Sequence, residues 1–244
     1  MSLIEVVIAA SIFSVIAISV YQGFISLNRL ISVSREKVTI TDLLNEQFEI
    51  ARNLPFSSVG IVGGIPSGSL SATTSVVRDG RTFLVTRTVR NIDDPFDGTI
   101  GGSPNDLSPA DYKMFEVSVV CTSCKEAQEM SATGHIAPKN LETASTNGAL
   151  FIRVFDANGN PVPKARVQIT NSSQGIYIDE TTSNQGALDI VDAIPGVNAY
   201  NIIVSKAGFT TDRTYAPSVS NPNPVNPNST VVLQQVTQNS FVID

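Results

Sequence analysis

Residues 3–13, LIEVVIAASIF, begin the stretch that decides the architecture; from position 6 to position 28, VVIAASIFSVIAISVYQGFISLN, none of the 23 side chains is charged. A helix needs roughly 20 apolar residues to cross a hydrocarbon core about 30 Å thick, so the length suffices. A secretory signal peptide fits poorly, because such peptides place Lys or Arg before a shorter apolar run and end at a small-residue cleavage site. Here the charged side chain before the run is an acid, Glu5. From Asn28 to Leu54 the chain turns polar without Gly or Pro, and apolar residues recur at Leu30, Ile31, Val38, Leu44, Phe48 and Ala51. That spacing predicts one continuous helix of roughly 50 residues, about 75–80 Å long, ending before Pro55. Its second half has too few apolar positions to stand alone and must pack on a folded head.

Composition sets the outer bounds. The chain has 244 residues, 42% hydrophobic and 16% charged, with a net charge of -6. Lys and Arg total 16 with no basic stripe, which argues against a nucleic-acid partner. One His, no Trp and two Cys offer no Ser/His/Asp, Cys/His or phosphate-loop arrangement, so no enzymatic role is expected. The mean hydropathy of +0.11 averages an apolar first segment with a remainder rich in Gly, Pro, Asn, Ser and Thr.

An ionised Glu5 at the end of a spanning helix is costly in lipid unless it has a partner or lies at headgroup depth. The nearest cation is a free amine at Met1. The run from Met1 to Val6 and the uncharged helix after it resemble the processed amino terminus of type IV pilins and pseudopilins over residues 1–54. The resemblance implies removal of a leader by a prepilin peptidase, N-methylation of Met1, and pairing of Glu5 with Met1 of a neighbouring subunit. Many pilins carry Gly where this chain has Ser14 and Pro where it has Gln22; Gly23 is the remaining weak point of the helix.

After Leu54, the segment VVRDGRTFLVTRTVR reads as a hairpin around Arg78-Asp79-Gly80, with Phe83, Val85 and Val89 on one face. A further strand at 112–120 puts Phe115, Val117 and Val119 on one side. Together they predict a small antiparallel sheet covering the helix. Between them lie Asp93, Asp94, Asp97, Asp106 and Asp111, with Asn105 nearby. Such oxygen ligands suit calcium, with Asp93, Asp94, Asp97 and Asp106 the candidates; the alternative is that the acids cap turns. No cofactor is required by this reading. Cys121 and Cys124 lack both a βαβ context for redox chemistry and a second pair for zinc, so an extracellular head favours a local disulfide. Residues 125–147, with the lone His135, show no apolar period and read as a linker with a short helical piece at 125–130.

Residues 148–244 read as a second β unit, with turn signals at Asn158-Gly159, Gln185-Gly186 and Pro195-Gly196 and a last strand at 231–236. Its motifs, including Asp156-Ala-Asn-Gly-Asn-Pro and Ala207-Gly-Phe209, are similar to the carboxypeptidase-regulatory-like domain, which implies an immunoglobulin-like sandwich without catalytic residues.

The expected fold class is therefore α+β: a long N-terminal helix with a small antiparallel β head, followed by an all-β immunoglobulin-like sandwich. The expected units are a spine helix at 1–54 with a membrane or filament core at 1–27, a head at 55–130, a linker at 131–147 and a sandwich at 148–244. The expected role is a structural subunit of a type IV pilus, with a major pilin favoured over a tip adhesin or pseudopilin. Its partners would be its own copies, the prepilin peptidase and inner-membrane assembly machinery. It would reside in the cytoplasmic membrane before assembly and on the cell surface afterwards.

Overall fold

The computed structural model describes residues 2–124, 128–138 and 144–244. Helix α1, Leu3–Asn53, is unbroken over 51 residues, about 77 Å at 1.5 Å per residue. It stops at Leu54, whose φ of -77° and ψ of 150° are the extended backbone that Pro55 imposes on its predecessor. Apart from half-buried Val33, every residue from 2 to 35 is exposed. Glu36, Ile40, Leu43, Leu44, Gln47 and Ala51 then form one buried face at helical spacing. Val38, expected on that face, points to solvent, and Ile40 and Leu43 take its place in the core.

The head is an antiparallel sheet in the order β1 (Thr73–Arg78), β2 (Arg81–Ile92), β3 (Tyr112–Cys121) and β4 (Glu129–Ile136). Asp79 and Gly80, with φ of 51° and 72°, close the β1–β2 hairpin as a two-residue turn of the primed type, which matches strand twist. Phe83, Val85, Val89, Phe115, Val117, Val119 and Cys121 face α1 and form one core with Ile40, Leu43, Leu44 and Ala51. Strand β4 corrects the expected linker. Of the helical piece expected at 125–130, residues 125–127 lie outside the described residues, and 129–136 form a strand paired to β3 from Glu129 against Val120 to Ile136 against Lys113. The sequence hid it because the middle of its inner face is small, Ala132 and Gly134 between Met130 and Ile136. Small residues suffice there because Phe48 of α1 lies over the strand. A Cβ on Gly134 would sit 2.7 Å from Phe48 Cε1, and the Phe48 ring meets Phe115 edge-on at 5.3 Å.

The second unit is a sandwich of two sheets. One holds β12 (Val236–Val242), β5 (Gly148–Phe155) and β8 (Ala187–Ala193); the other runs β10 (Asp212–Arg213), β9 (Gly196–Ser205), β6 (Arg166–Asn171), β7 (Ile176–Thr181), with β11 (Ser229–Val231) also on β9. Leu150, Ile152, Val154, Val167, Ile169, Tyr200, Ile202 and Val204 meet between them, each fully buried. The final strand differs from expectation. Residues 232–235 turn, with Gln234 at a φ of 53°, and the strand is Val236–Val242, parallel to β5. The apolar run Val231-Val232-Leu233 suggested a strand, yet Val232 and Leu233 are exposed, while Phe241 of β12 is the side chain that enters the core. Pro195-Gly196 carries the chain from one sheet to the other between β8 and β9.

Candidate functional site

The surface of α1 is the dominant feature of the molecule. Fifteen large apolar side chains from Leu3 to Leu27 are exposed. Full burial of one such side chain contributes about 1.5–3 kcal/mol, so in water the stretch forgoes tens of kcal/mol, several times the stability of a typical domain. The segment therefore needs lipid or other helices around it. Its polar groups are prepared for that environment. The hydroxyls of Ser11, Ser14 and Ser19 each donate to the carbonyl four residues earlier, Val7, Ala10 and Val15, at 2.8 Å. No hydroxyl proton among these three would enter an apolar phase unpaired.

Glu5 has a local partner. Its Oε2 accepts from the Ser2 backbone N–H at 2.8 Å, and Ser2 Oγ accepts from the Glu5 N–H at 3.4 Å, a reciprocal capping box. This S-x-x-E signature was readable in residues 2–5 and gives Glu5 a role in starting the helix. The carboxylate keeps further acceptor capacity beyond that one bond. Met1, the expected partner, lies outside the described residues.

The head and sandwich meet through a mixed interface. Ile65, from the loop before β1, joins the sandwich core, and Tyr177 donates its backbone N–H to the Gly63 carbonyl at 2.7 Å. Asn91 Nδ2 donates to the Val191 carbonyl at 3.4 Å. Arg90 of β2 approaches Glu180 of β7 at 2.6 Å, outside hydrogen-bond alignment at Oε2. Burial raises the Glu180 carboxyl above its ordinary range, and Arg90 opposes that shift without cancelling it. Nearby, Lys113 Nζ donates to the carbonyls of Phe56 and Val59 at 2.8 and 2.6 Å, tying the turn after α1 to β3. Burial lowers its ammonium to about 8.

The acidic loop is organised around backbone amides. Asp93 accepts from Ile100 N–H at 2.9 Å, Asp94 from Phe96 at 3.1 Å and Asp106 from Ser108 at 2.8 Å, while Asp111 accepts from Asp94 N–H. Asn105 caps Gly101 at 2.6 Å. These backbone bonds are those of turn caps; among the described residues, no three of the loop's carboxylates converge within 4.8 Å of one another. Asp97 and Asp106 still act on Asp93 electrostatically, as does Asp111. Burial first, and these neighbours after the opposing Ile100 bond, push Asp93 up to about 6.

Cys121 and Cys124 form a disulfide. Glu36 of α1 lies beside it, on the buried face four residues before Ile40, a contact between helix and loop that no motif announces. His135 is exposed on β4, edge-on to Tyr112 at 5.1 Å between ring centres.

An uncovered apolar helix runs on into a packed head, with a β-sandwich beyond. By length and composition the helix fits a membrane anchor, and a signal sequence passes the same test. No protein-family model and no curated protein matches the sequence. Among solved structures, the chain is similar to the major pilin subunit BcpA of Bacillus cereus, at 12% identity over 55% of this chain and 38% of that one, with a TM-score of 0.26. It is also similar to the Bacillus anthracis TIE protein, at 11% identity, 70% and 38% coverage and a TM-score of 0.31. A third is the group B streptococcus pilus 2b backbone protein, at 8% identity, 58% and 53% coverage and a TM-score of 0.26. The chain spans 38% of the length of the first two.

Proposed function

We propose that the chain is a structural subunit of a type IV pilus or related filament, with a major pilin favoured, held in the cytoplasmic membrane before assembly. The observation that carries this reading is the division of one rigid helix: residues 2–32 uncovered, residues 36–51 packed into a head. Polymerisation exchanges lipid contacts for helix–helix contacts, and Ala9, Ala10 and Ala17 with the three self-satisfied serines allow close approach. Glu5 sets the axial offset by pairing its remaining acceptors with the amine at Met1 of a neighbour after prepilin processing.

The capping box supplies a sharp test. Gln can hold the box as Glu does, but it carries no charge. Glu5→Gln and Glu5→Ala subunits would be expressed in the native host and surface filaments counted by electron microscopy. Loss of filaments in both supports charge pairing. Undiminished assembly with Glu5→Gln reduces Glu5 to a helix cap and removes the pairing. Mass spectrometry of sheared filaments reports the Met1 terminus and the abundance that separates a major from a tip subunit.

A further inference from the structure

We propose that the head contains a latent site for a borderline-soft divalent cation of the Zn2+ type, formed by Glu36, Cys121 and Cys124 when their disulfide is reduced. A carboxylate oxygen of Glu36 and the two sulfurs lie within 4.8 Å of one another. Cysteine pairs spaced C-x-x-C commonly supply two tetrahedral zinc ligands, and a carboxylate is a normal third. The two Cα atoms here are 5.5 Å apart.

Independent of that convergence, Glu36 is only 6% exposed, and its Oε1 is buried without a hydrogen-bond partner. A buried, partnerless carboxylate oxygen is expensive, and a cation between it and two thiolates removes the expense. The loop has anchors besides the S–S bond. Thr122 donates its backbone N–H to the Thr82 carbonyl at 2.9 Å, and Thr82 donates its own to Ser123 Oγ at 2.9 Å, so β2 holds the loop. Glu36 is held by the helix, where Ile40 and Leu43 anchor the same face.

The chemistry balances in two steps. A dithiol reductant gives two electrons and two protons to the disulfide and becomes a disulfide itself, leaving two cysteine thiols. The cation then displaces those two protons and binds both thiolates and Glu36, with a water in the fourth position. The oxidised link is local to the 121–124 loop, whereas the metal-bound form would fasten that loop to α1.

The test uses the full chain in detergent micelles, reduced with a water-soluble phosphine that becomes its oxide, and titrated with Co2+ under argon. About one equivalent should give the sulfur-to-cobalt charge-transfer bands of a tetrahedral thiolate site, bleached by Zn2+; the oxidised chain should give none. Cys124→Ser should abolish the bands. Glu36→Gln should weaken binding by about tenfold or more, since even outer-shell partners are worth about 10–100-fold. Far-UV circular dichroism verifies that each reduced chain keeps its β signal. Absence of the bands in the reduced chain overturns the site, as does equal affinity in Glu36→Gln. Binding that persists after the β signal is lost overturns it too, because cysteines in an unfolded loop need no Glu36.

Discussion

Arg90→Met and Glu180→Gln remove opposite halves of one interface pair, and the structure makes their effects unequal. The Arg90 side chain is 30% exposed and Glu180 only 13%. With Glu180 neutralised, the guanidinium can still reach water along its long stem. With Arg90 removed, Glu180 is left as a buried charge without its cation. Breaking a fully buried pair from one side costs about 3–5 kcal/mol; partial exposure here reduces that to about 2–3 kcal/mol for Arg90→Met, against about 1 kcal/mol or less for Glu180→Gln. For a unit of this size each kcal/mol moves the melting temperature by about 2–4 °C, so Arg90→Met should lose about 5–10 °C at pH 7.5. The Glu180 pKa is raised in the folded state, so the native chain holds a proton the unfolded chain releases, and stability from this group falls as pH rises through that value. The Arg90→Met deficit should therefore shrink as the pH is lowered and Glu180 takes up its proton. Scanning calorimetry of the full chain in micelles is the assay, since the chain has no Trp for fluorescence. Equal losses in the two variants, or a deficit in Arg90→Met that ignores pH, would refute the reasoning.

Asp93 titrates near 6 instead of 3.8, so it contributes stability below about pH 4 that is lost as pH rises through 6; Asp93→Asn, which can still accept from Ile100, should melt higher than wild type at pH 7.5 and equal it at pH 4. Lys113→Met leaves the Phe56 and Val59 carbonyls without their donor and should cost about 1–3 kcal/mol by calorimetry. Because the Lys113 ammonium lies near 8 rather than 10.5, the wild type gains stability from this group as pH rises from 8 to 10.5, and the variant should lack that gain. Gly134→Ala drives a methyl into the Phe48 ring and should lower head stability by about 1–3 kcal/mol, with Gly134→Ala in a Phe48→Leu background recovering part of it in a double-mutant cycle.

What was legible in the sequence followed from patterns with one physical cause. An uncharged run and an absence of Gly and Pro before Pro55 announce a long helix, and strict alternation at Phe115, Val117 and Val119 announces a half-buried strand. Strand β4 escaped because a ring from another element covers the middle of its inner face, where Ala132 and Gly134 sit, so only Met130 and Ile136 at its ends mark it as apolar. Strand β12 escaped because it buries little beyond Phe241, while the exposed Val232 and Leu233 imitate a core. The cluster at Glu36 needed a contact between helix and loop that no local window contains. Glu5 was singled out for its cost in lipid, and its bond to Ser2 was present as a four-residue motif with a simpler meaning.

The parallel pairing of β12 with β5 has a mechanical consequence. Val236 lies beside Ala149 and Val242 beside Phe155, so the strands run side by side in one direction. Tension entering at Gly148 from the head and leaving beyond Val242 pulls the two strands along each other from opposite ends. All the rungs between them are then sheared at once instead of being unzipped one after another. A sandwich wired in this way yields abruptly at a high force, so under traction the mixed seam between head and sandwich would open before the sandwich itself.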